Sequence, residues 1–370
     1  MPNWKTASEV WLQYAIEAME QDIDCIVAND THGNTTWNGR IKAVSLNPAR
    51  TTLYNKILWQ TGIKSTEKLL WQTIQRTSVT HILCHYGAVA VQYMNIWQKT
   101  AKPLFVHFHG FDATFDLRTV EDPNKDHFSS DYIKNLILLS KKASFIANSN
   151  FTKSLLMEAG LSDERIHVKH LGVPIPDYTK SHIDKDENHI LQIGRLVDFK
   201  SPDRTIRAFE IAREKGLKAR LTIVGDGSLR PMCELMRLRS PYRDSIHLLG
   251  AVSPQKVKEL LCDADIYTQH NIKGELTHQA ECFGVTIIEA MASGLPVVGT
   301  RSGAVVETVI DGETGILVDP GDVEKQADAF IFLSKNHEMR QKLGNAGKRR
   351  AAEYFSVDIE KKRLKAIMGI

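Results

Sequence analysis

Short apolar runs rich in Val, Ile and Leu alternate with longer amphipathic runs along this chain. The short runs are Ile23–Ala28, His81–His85, Leu104–His107, Ser144–Ala147 and Ile166–Leu171, then Ile190–Ile193, Ala219–Val224, Ile246–Leu249, Asp265–Thr268, Pro296–Val298 and Gly315–Val318. Most show no polar alternation, which marks strands covered on both faces. The amphipathic runs between them read as helices. Thr6-Ala-Ser-Glu9 has the spacing of a capping box before Val10–Met19. Ser201-Pro202 and Ser253-Pro254 place Pro at the first position of helices over Asp203–Lys215 and Gln255–Cys262. Glu324–Leu333 and Glu338–Tyr354 follow as helices. Strand alternating with helix predicts an α/β fold built on parallel sheets.

With 370 residues, two domains are expected. The division falls near Gly172-Val-Pro-Ile-Pro-Asp177, where Gly and Pro interrupt the pattern before a polar stretch reaching Asn188. Each half then holds a doubly wound unit. Ligands of such sheets sit beyond the carboxyl ends of the strands, so the site is expected in a cleft between the two units.

A net charge of +3 is too small to argue for a nucleic-acid partner, and none is expected. No apolar run is long enough to cross a bilayer. The opening Met1-Pro-Asn-Trp-Lys5 lacks the apolar segment of a signal peptide. The five cysteines (25, 84, 233, 262 and 282) form no Cys-x-x-Cys pair. Together these features predict a reduced, cytoplasmic protein.

Glu281 and Glu289 flank Cys-Phe-Gly-Val-Thr-Ile-Ile, which reads as a loop running into a helix that begins near Val285. The first amides of a helix have no partner within it and face whatever approaches. They suit phosphate, and the helix dipole adds to the attraction. A carboxylate before that end and another one turn inside can take hydroxyls on either side of a diphosphate. In Ile190-Leu-Gln-Ile-Gly194-Arg195-Leu-Val-Asp-Phe-Lys200, a strand ends with Arg195 at its tip and Lys200 just before the next helix. Arg forks onto phosphate oxygens and Lys supplies a mobile charge. Two surface cations would be the plain reading of that turn. Beside the helix end at 283–285 they read as a diphosphate clamp.

Phe105-Val-His107-Phe-His109-Gly110 places two histidines on one face of a strand end. A metal there needs a third ligand; His81 and His85 lie on a neighbouring strand candidate, but their spacing matches no metal signature. His109 is therefore read as a hydrogen-bond donor to substrate on the cleft wall, and no metal is expected. Gly225-Asp-Gly227-Ser-Leu-Arg230 has Arg where a dinucleotide fingerprint needs its third glycine. It reads as a tight turn, which leaves a dehydrogenase improbable.

With these segments in one order, the chain resembles the retaining glycosyltransferases of family 4, which have the GT-B fold. The resemblance rests on His109-Gly110, on Gly194-Arg195 with Lys200, and on Glu281-x7-Glu289 leading to Ala290-Met-Ala-Ser-Gly-Leu-Pro. His85-Tyr-Gly87 and Gly303-Ala-Val-Val-Glu307 with Asp311-Gly-Glu-Thr-Gly315 are similar to further family segments. The resemblance implies two Rossmann-like domains: an acceptor-side unit over 1–175 and a nucleotide-sugar unit over 176–354. A final helix over 355–370 is implied to cross back to the first unit. It implies that the first strand is missing and that Met1 falls within the loop after it.

The resemblance also implies roles. Gly194, Arg195, Lys200 and the amides of Phe283, Gly284 and Val285 hold the diphosphate. Glu281 takes sugar hydroxyls, Glu289 the ribose, and His109 stands near the reacting sugar. The implied reaction is hexosyl transfer from a nucleotide-diphospho-sugar to a hydroxyl acceptor with retention, without a cofactor. The competing expectations are an epimerase or phosphorylase on the same fold, and an inactive binding or scaffold member.

All six tryptophans lie between Trp4 and Trp97. Between Gly33 and Thr80, Lys/Arg at 40, 42, 50, 56, 64, 68 and 76 face a single acid, Glu67. Interleaved with Trp37, Tyr54, Trp59 and Trp71, this suits an anionic membrane surface and a lipid-linked saccharide acceptor. Trp anchors turned into a core under a solvated basic face are the equal alternative.

Overall fold

β-branched strand cores are buried through most of the chain. The computed structural model describes residues 9–46, 66–76, 78–114, 131–178, 180 and 186–370. The second unit is one six-stranded sheet in the order β10-β9-β8-β11-β12-β13. These strands are β8 Asn188–Ile193, β9 Ala219–Val224, β10 Ile246–Gly250, β11 Ile266–Thr268, β12 Val297–Thr300 and β13 Gly315–Val318. Every pairing in it is parallel. Helices cover both faces, so Ile190, Leu191, Val297 and Val298 are fully buried. Each such side chain contributes about 1.5–3 kcal/mol.

The chain builds outward from β8 in both directions, first to β9 and later to β11. The switch point therefore lies between the carboxyl ends of β8 and β11. That crevice is where a doubly wound sheet binds its ligand. Gly194 and Arg195 leave the end of β8, and the segment reaching Glu281 leaves the end of β11.

The first unit contains β4 Ile82–His85, β5 Leu104–Phe108, β6 Ala143–Ala147 and β7 Ile166–Val168, a parallel sheet in that order. A separate three-stranded sheet holds β1 Cys25–Ala28, β2 Thr36–Trp37 and β3 Ile41–Ser45 in the order β1-β3-β2. Among the described residues no strand joins the two sheets, where the resemblance implies one.

Part of the basic aromatic stretch forms the β2–β3 hairpin. Asn38 and Gly39 both have positive φ, +48° and +76°. That is the turn an Asn-Gly pair favours between antiparallel strands, and Thr36 pairs with Lys42 across it. Trp37 is 2% exposed and belongs to the core. Trp71 is partly buried against the core of the first unit. Tyr54 and Trp59 lie outside the described residues.

The helix Val10–Ala18 begins as expected, but not through a capping box. Glu9 makes no side-chain bond to that helix; its carboxylate accepts from the Tyr86 hydroxyl. Thr6 lies outside the described residues. Ser253 does cap its helix, accepting from the Lys256 amide at 3.2 Å. Ser201, with φ +37°, makes no side-chain cap, although Pro202 opens the helix Pro202–Glu214.

The final helix, Val357–Met368, packs on the first unit. Leu364 and Met368 share a core with Met19, Phe105 and Ile146. The Val173 amide donates to Phe355 O at 2.8 Å, and Glu360 is buried against Lys169 and the Gly172 amide. Across the cleft, Glu307 accepts from the amides of Asn150 and Phe151 at 2.8 and 2.6 Å. A carboxylate from the second unit thus sits at the amino end of the helix Asn150–Glu158 of the first.

Candidate functional site

A cleft of about 690 Å³ runs between the two units. His109, Gly194, Arg195, Lys200, Glu281, Phe283, Gly284, Val285 and Glu289 all line it. The structure therefore brings together residues spread over 181 positions of sequence, from His109 to Glu289 (289 − 109 = 180, both ends counted).

The helix Val285–Ala292 starts directly at the switch point. Gly284 is its N-cap, at φ +80°, ψ +55°, and no side chain of that residue caps it. Instead the Glu281 carboxylate accepts from the Gly284 amide at 3.0 Å. Its other oxygen accepts from Lys200 Nζ, and from Asn271 Nδ2 at 3.2 Å. Burial pushes the Glu281 carboxyl up. Lys200 and the amides of Phe283 and Gly284 outweigh that and hold it below the usual carboxylate range. Lys200 and Glu281 are thus a buried ion pair whose charges largely cancel.

Arg195 is exposed in the cleft and forms no ion pair among the described residues; its guanidinium lies 5.7 Å from the Phe199 ring. A helix end carries about half an elementary charge, whereas Arg195 carries a whole one. Arg195 is therefore the largest uncompensated attraction for an anion at this crevice.

Glu289 lies one turn inside the helix on the cleft side. Burial, only partly offset by Lys258, pushes its carboxyl up from 4.5 to about 7. Tyr14 stands close enough that burial first and the Glu289 charge second raise its phenol to about 12. Behind the helix, Thr286 Oγ1 donates to Ile193 O at 3.0 Å and accepts from the Tyr267 hydroxyl at 2.8 Å. This buried network ties the helix end to the tip of β8.

His109 sits on the opposite wall. Trp11 stacks on it with ring centroids 4.2 Å apart, and Asp112 holds the backbone amides of His109, Gly110 and Gly87. Gly110, at φ +115°, lies so close to Cys282 that a Cβ there would come within 2.8 Å of the cysteine Cβ. The close approach at Gly110 is therefore to the other unit of the same chain.

The pairing of neighbouring strands brings His85 beside His107 and His109. His85 stands directly opposite His107 in the β4–β5 pairing, and its Nδ1 is 3.0 Å from His109 Nε2. Sequence spacing could not show this, because the register between strands about twenty residues apart is a tertiary property.

Gly225 and Gly227 behave as a tight turn. A Cβ on either would collide with backbone at Gly194 or Leu196, so the turn after β9 passes directly over the tip of β8. Trp11 and Tyr14 on the first-unit wall escaped the sequence reading, since nothing in an amphipathic helix tells a cleft face from a core face. Three Asp-x-Asp pairs occur, at 22/24, 184/186 and 263/265. The first and last do not line the cleft, and the middle one is outside the described residues apart from Asp186. Among the described residues no helix is long and apolar enough to cross a membrane.

The chain is similar to known proteins. Residues 177–350 match the family model described as glycosyl transferases group 1. The chain is 29% identical over 195 residues to N-acetyl-alpha-D-glucosaminyl L-malate synthase of Bacillus anthracis, covering 52% of this chain and 48% of that one. It is 28% identical over 183 residues to the capsular polysaccharide biosynthesis glycosyltransferase CapM of Staphylococcus aureus, covering 49% and 46%. The matches thus span about half the length of these curated relatives. In structure, it superposes on Anabaena HepE, solved with UDP and glucose, with a TM-score of 0.77 at 18% identity, covering 100% of this chain and 98% of that one. Residues 177–350 are thus similar to the glycosyl transferases group 1, within a chain that has the GT-B fold.

Proposed function

We propose that this chain transfers a hexosyl group from a nucleotide-diphospho-sugar to a hydroxyl acceptor, with retention at the anomeric carbon. The observation that carries this is the convergence of Arg195, the amides at Gly284–Val285 and the two carboxylates Glu281 and Glu289 on one switch-point cleft. The leaving group is a diphosphate, so its growing negative charge is the main thing to stabilise. Arg195 and the helix amides are preorganised to do so. Lys200 reaches the diphosphate by exchanging part of its bond to Glu281, which then turns toward sugar hydroxyls. Glu289 takes the ribose and His109 faces the reacting sugar. This clamp needs no cofactor and no metal on the diphosphate.

The acceptor in this reading is a saccharide or lipid-linked saccharide at an anionic membrane surface. The basic residues at 40, 42, 68 and 76 favour it, and the names of relatives such as CapM point to polysaccharide assembly. Vesicle pelleting tests the surface. Binding to anionic but not neutral vesicles is expected, and equal binding to both refutes it.

The reaction is tested by incubating the full chain with a panel of nucleotide-diphospho-sugars and hydroxyl acceptors. Products are followed by mass spectrometry, and anomeric configuration by NMR. Acceptor-dependent transfer with retained configuration is expected. Turnover of donor at the same rate without acceptor would instead indicate an epimerase or a hydrolase.

A further inference from the structure

Three imidazoles meet in the wall of the first unit. The parallel pairing of β4 and β5 sets His85 opposite His107. His109 follows two residues after His107 and returns to the same face. The ring centroids of His107 and His109 are 4.1 Å apart, those of His85 and His109 5.2 Å, and those of His85 and His107 5.6 Å. One nitrogen from each ring lies within 4.8 Å of the others.

His107 is buried and His85 and His109 are partly buried, and part of their polar needs is not met by protein. His107 is 1% exposed, and neither of its ring nitrogens has a hydrogen-bond partner. His109 Nδ1 has none either. A buried imidazole nitrogen left unpaired costs about 1–3 kcal/mol. Native interiors rarely tolerate one without an ion or water to satisfy it. Asp112, three residues after His109, is committed to three backbone amides.

We propose that His85, His107 and His109 bind a divalent transition-metal ion, with zinc the best match. Imidazole nitrogens are the preferred ligands of Zn²⁺, Co²⁺ and Ni²⁺. A Zn–N bond of about 2.0–2.1 Å in tetrahedral geometry puts neighbouring ligand nitrogens roughly 3.3 Å apart. The His85 Nδ1 to His109 Nε2 separation of 3.0 Å is already close to this. Lys169 is a cation close to the three rings. Glu360 pairs with Lys169, so that cation does not stand uncompensated beside the metal. Three protein ligands leave a coordination position open. This site lies apart from the diphosphate clamp but shares His109 with the proposed transferase site, and its metal binding is read without any turnover.

The test uses the full, untagged chain, stripped with a chelator and titrated with Co²⁺. Visible d–d bands that saturate at one equivalent are expected, and one equivalent of Zn²⁺ should displace them. His85→Gln and His107→Gln should each weaken Co²⁺ binding at least about 100-fold, with folding checked by far-UV circular dichroism. Should either variant fail to fold, histidine ¹⁵N spectra of the wild type decide, since Zn²⁺ must shift three imidazoles together. No saturating band in the wild type, or variants that bind Co²⁺ as tightly as it does, would overturn the proposal.

Discussion

In the proposed transfer, Arg195 and Glu289 are the single residues on which the chemistry turns. Arg195 is the uncompensated positive charge at the switch point, because Lys200 is neutralised by Glu281. Arg195→Ala should lower kcat by roughly 10²–10³-fold, the scale of one lost donor to a developing anion. Steady-state kinetics with saturating donor would check this. For Glu289 the sign is set by burial. Its carboxyl is raised from 4.5 to about 7, so between those values the folded chain keeps a proton that the unfolded chain has lost. Its contribution to stability therefore falls as pH rises through that window and is flat above it. Glu289→Gln should remove that decline, read from urea midpoints against pH. In the proposed complex the ionised carboxylate accepts a ribose hydroxyl more strongly than the protonated acid does, so donor affinity should rise as pH passes about 7 in the wild type and stay level in the variant. Of these residues, the acid pair and the Arg were legible from spacing. The coupling of Lys200 to Glu281 was not, because the two are 81 positions apart.

At the scale of elements, the helix Asn150–Glu158 is the clearest point of contact across the cleft. Ser149 caps it from within, bonding the Thr152 amide at 3.0 Å. Glu307, from the other unit, takes the amides of Asn150 and Phe151. Burial pushes Glu307 up, and His170 with those amides outweighs it, so the carboxyl stays below its usual range. The sign is opposite to Glu289: stability from Glu307 is present above 4.5 and is lost as pH falls below it. Glu307→Ala should cost about 1–3 kcal/mol, the price of two amides left without an acceptor, measured by denaturant unfolding near neutral pH. Helix starts were readable where a proline or a serine marks them, as at Ser253-Pro254. The β2–β3 hairpin was missed although Asn38-Gly39 signals it. The basic residues around it drew attention to a surface while its apolar face, with Trp37, turned inward.

For the whole molecule, the final helix fastens the second unit to the first. Glu360 and Lys169 meet in a buried ion pair, 2% and 1% exposed. Burial alone would strip the Lys169 proton, and Glu360 works against that. Removing one partner leaves an uncompensated charge in the interior. Glu360→Ala should therefore destabilise by about 3–5 kcal/mol, and adding Lys169→Met should recover much of the loss. Equilibrium unfolding of the two variants would check both. A double variant no more stable than the single one would mean that packing, not charge, governs this contact.

Local pattern was enough for the α/β class, the strand runs, the helix beginning at Val285 and the residues with chemistry suited to a diphosphate. These follow from periodicity and from what a helix end leaves unpaired, both properties of neighbouring residues. Strand order and register lay beyond it. They are set by which surfaces bury each other across long stretches of chain. That choice alone put Lys200 against Glu281, Trp11 against His109 and His85 opposite His107.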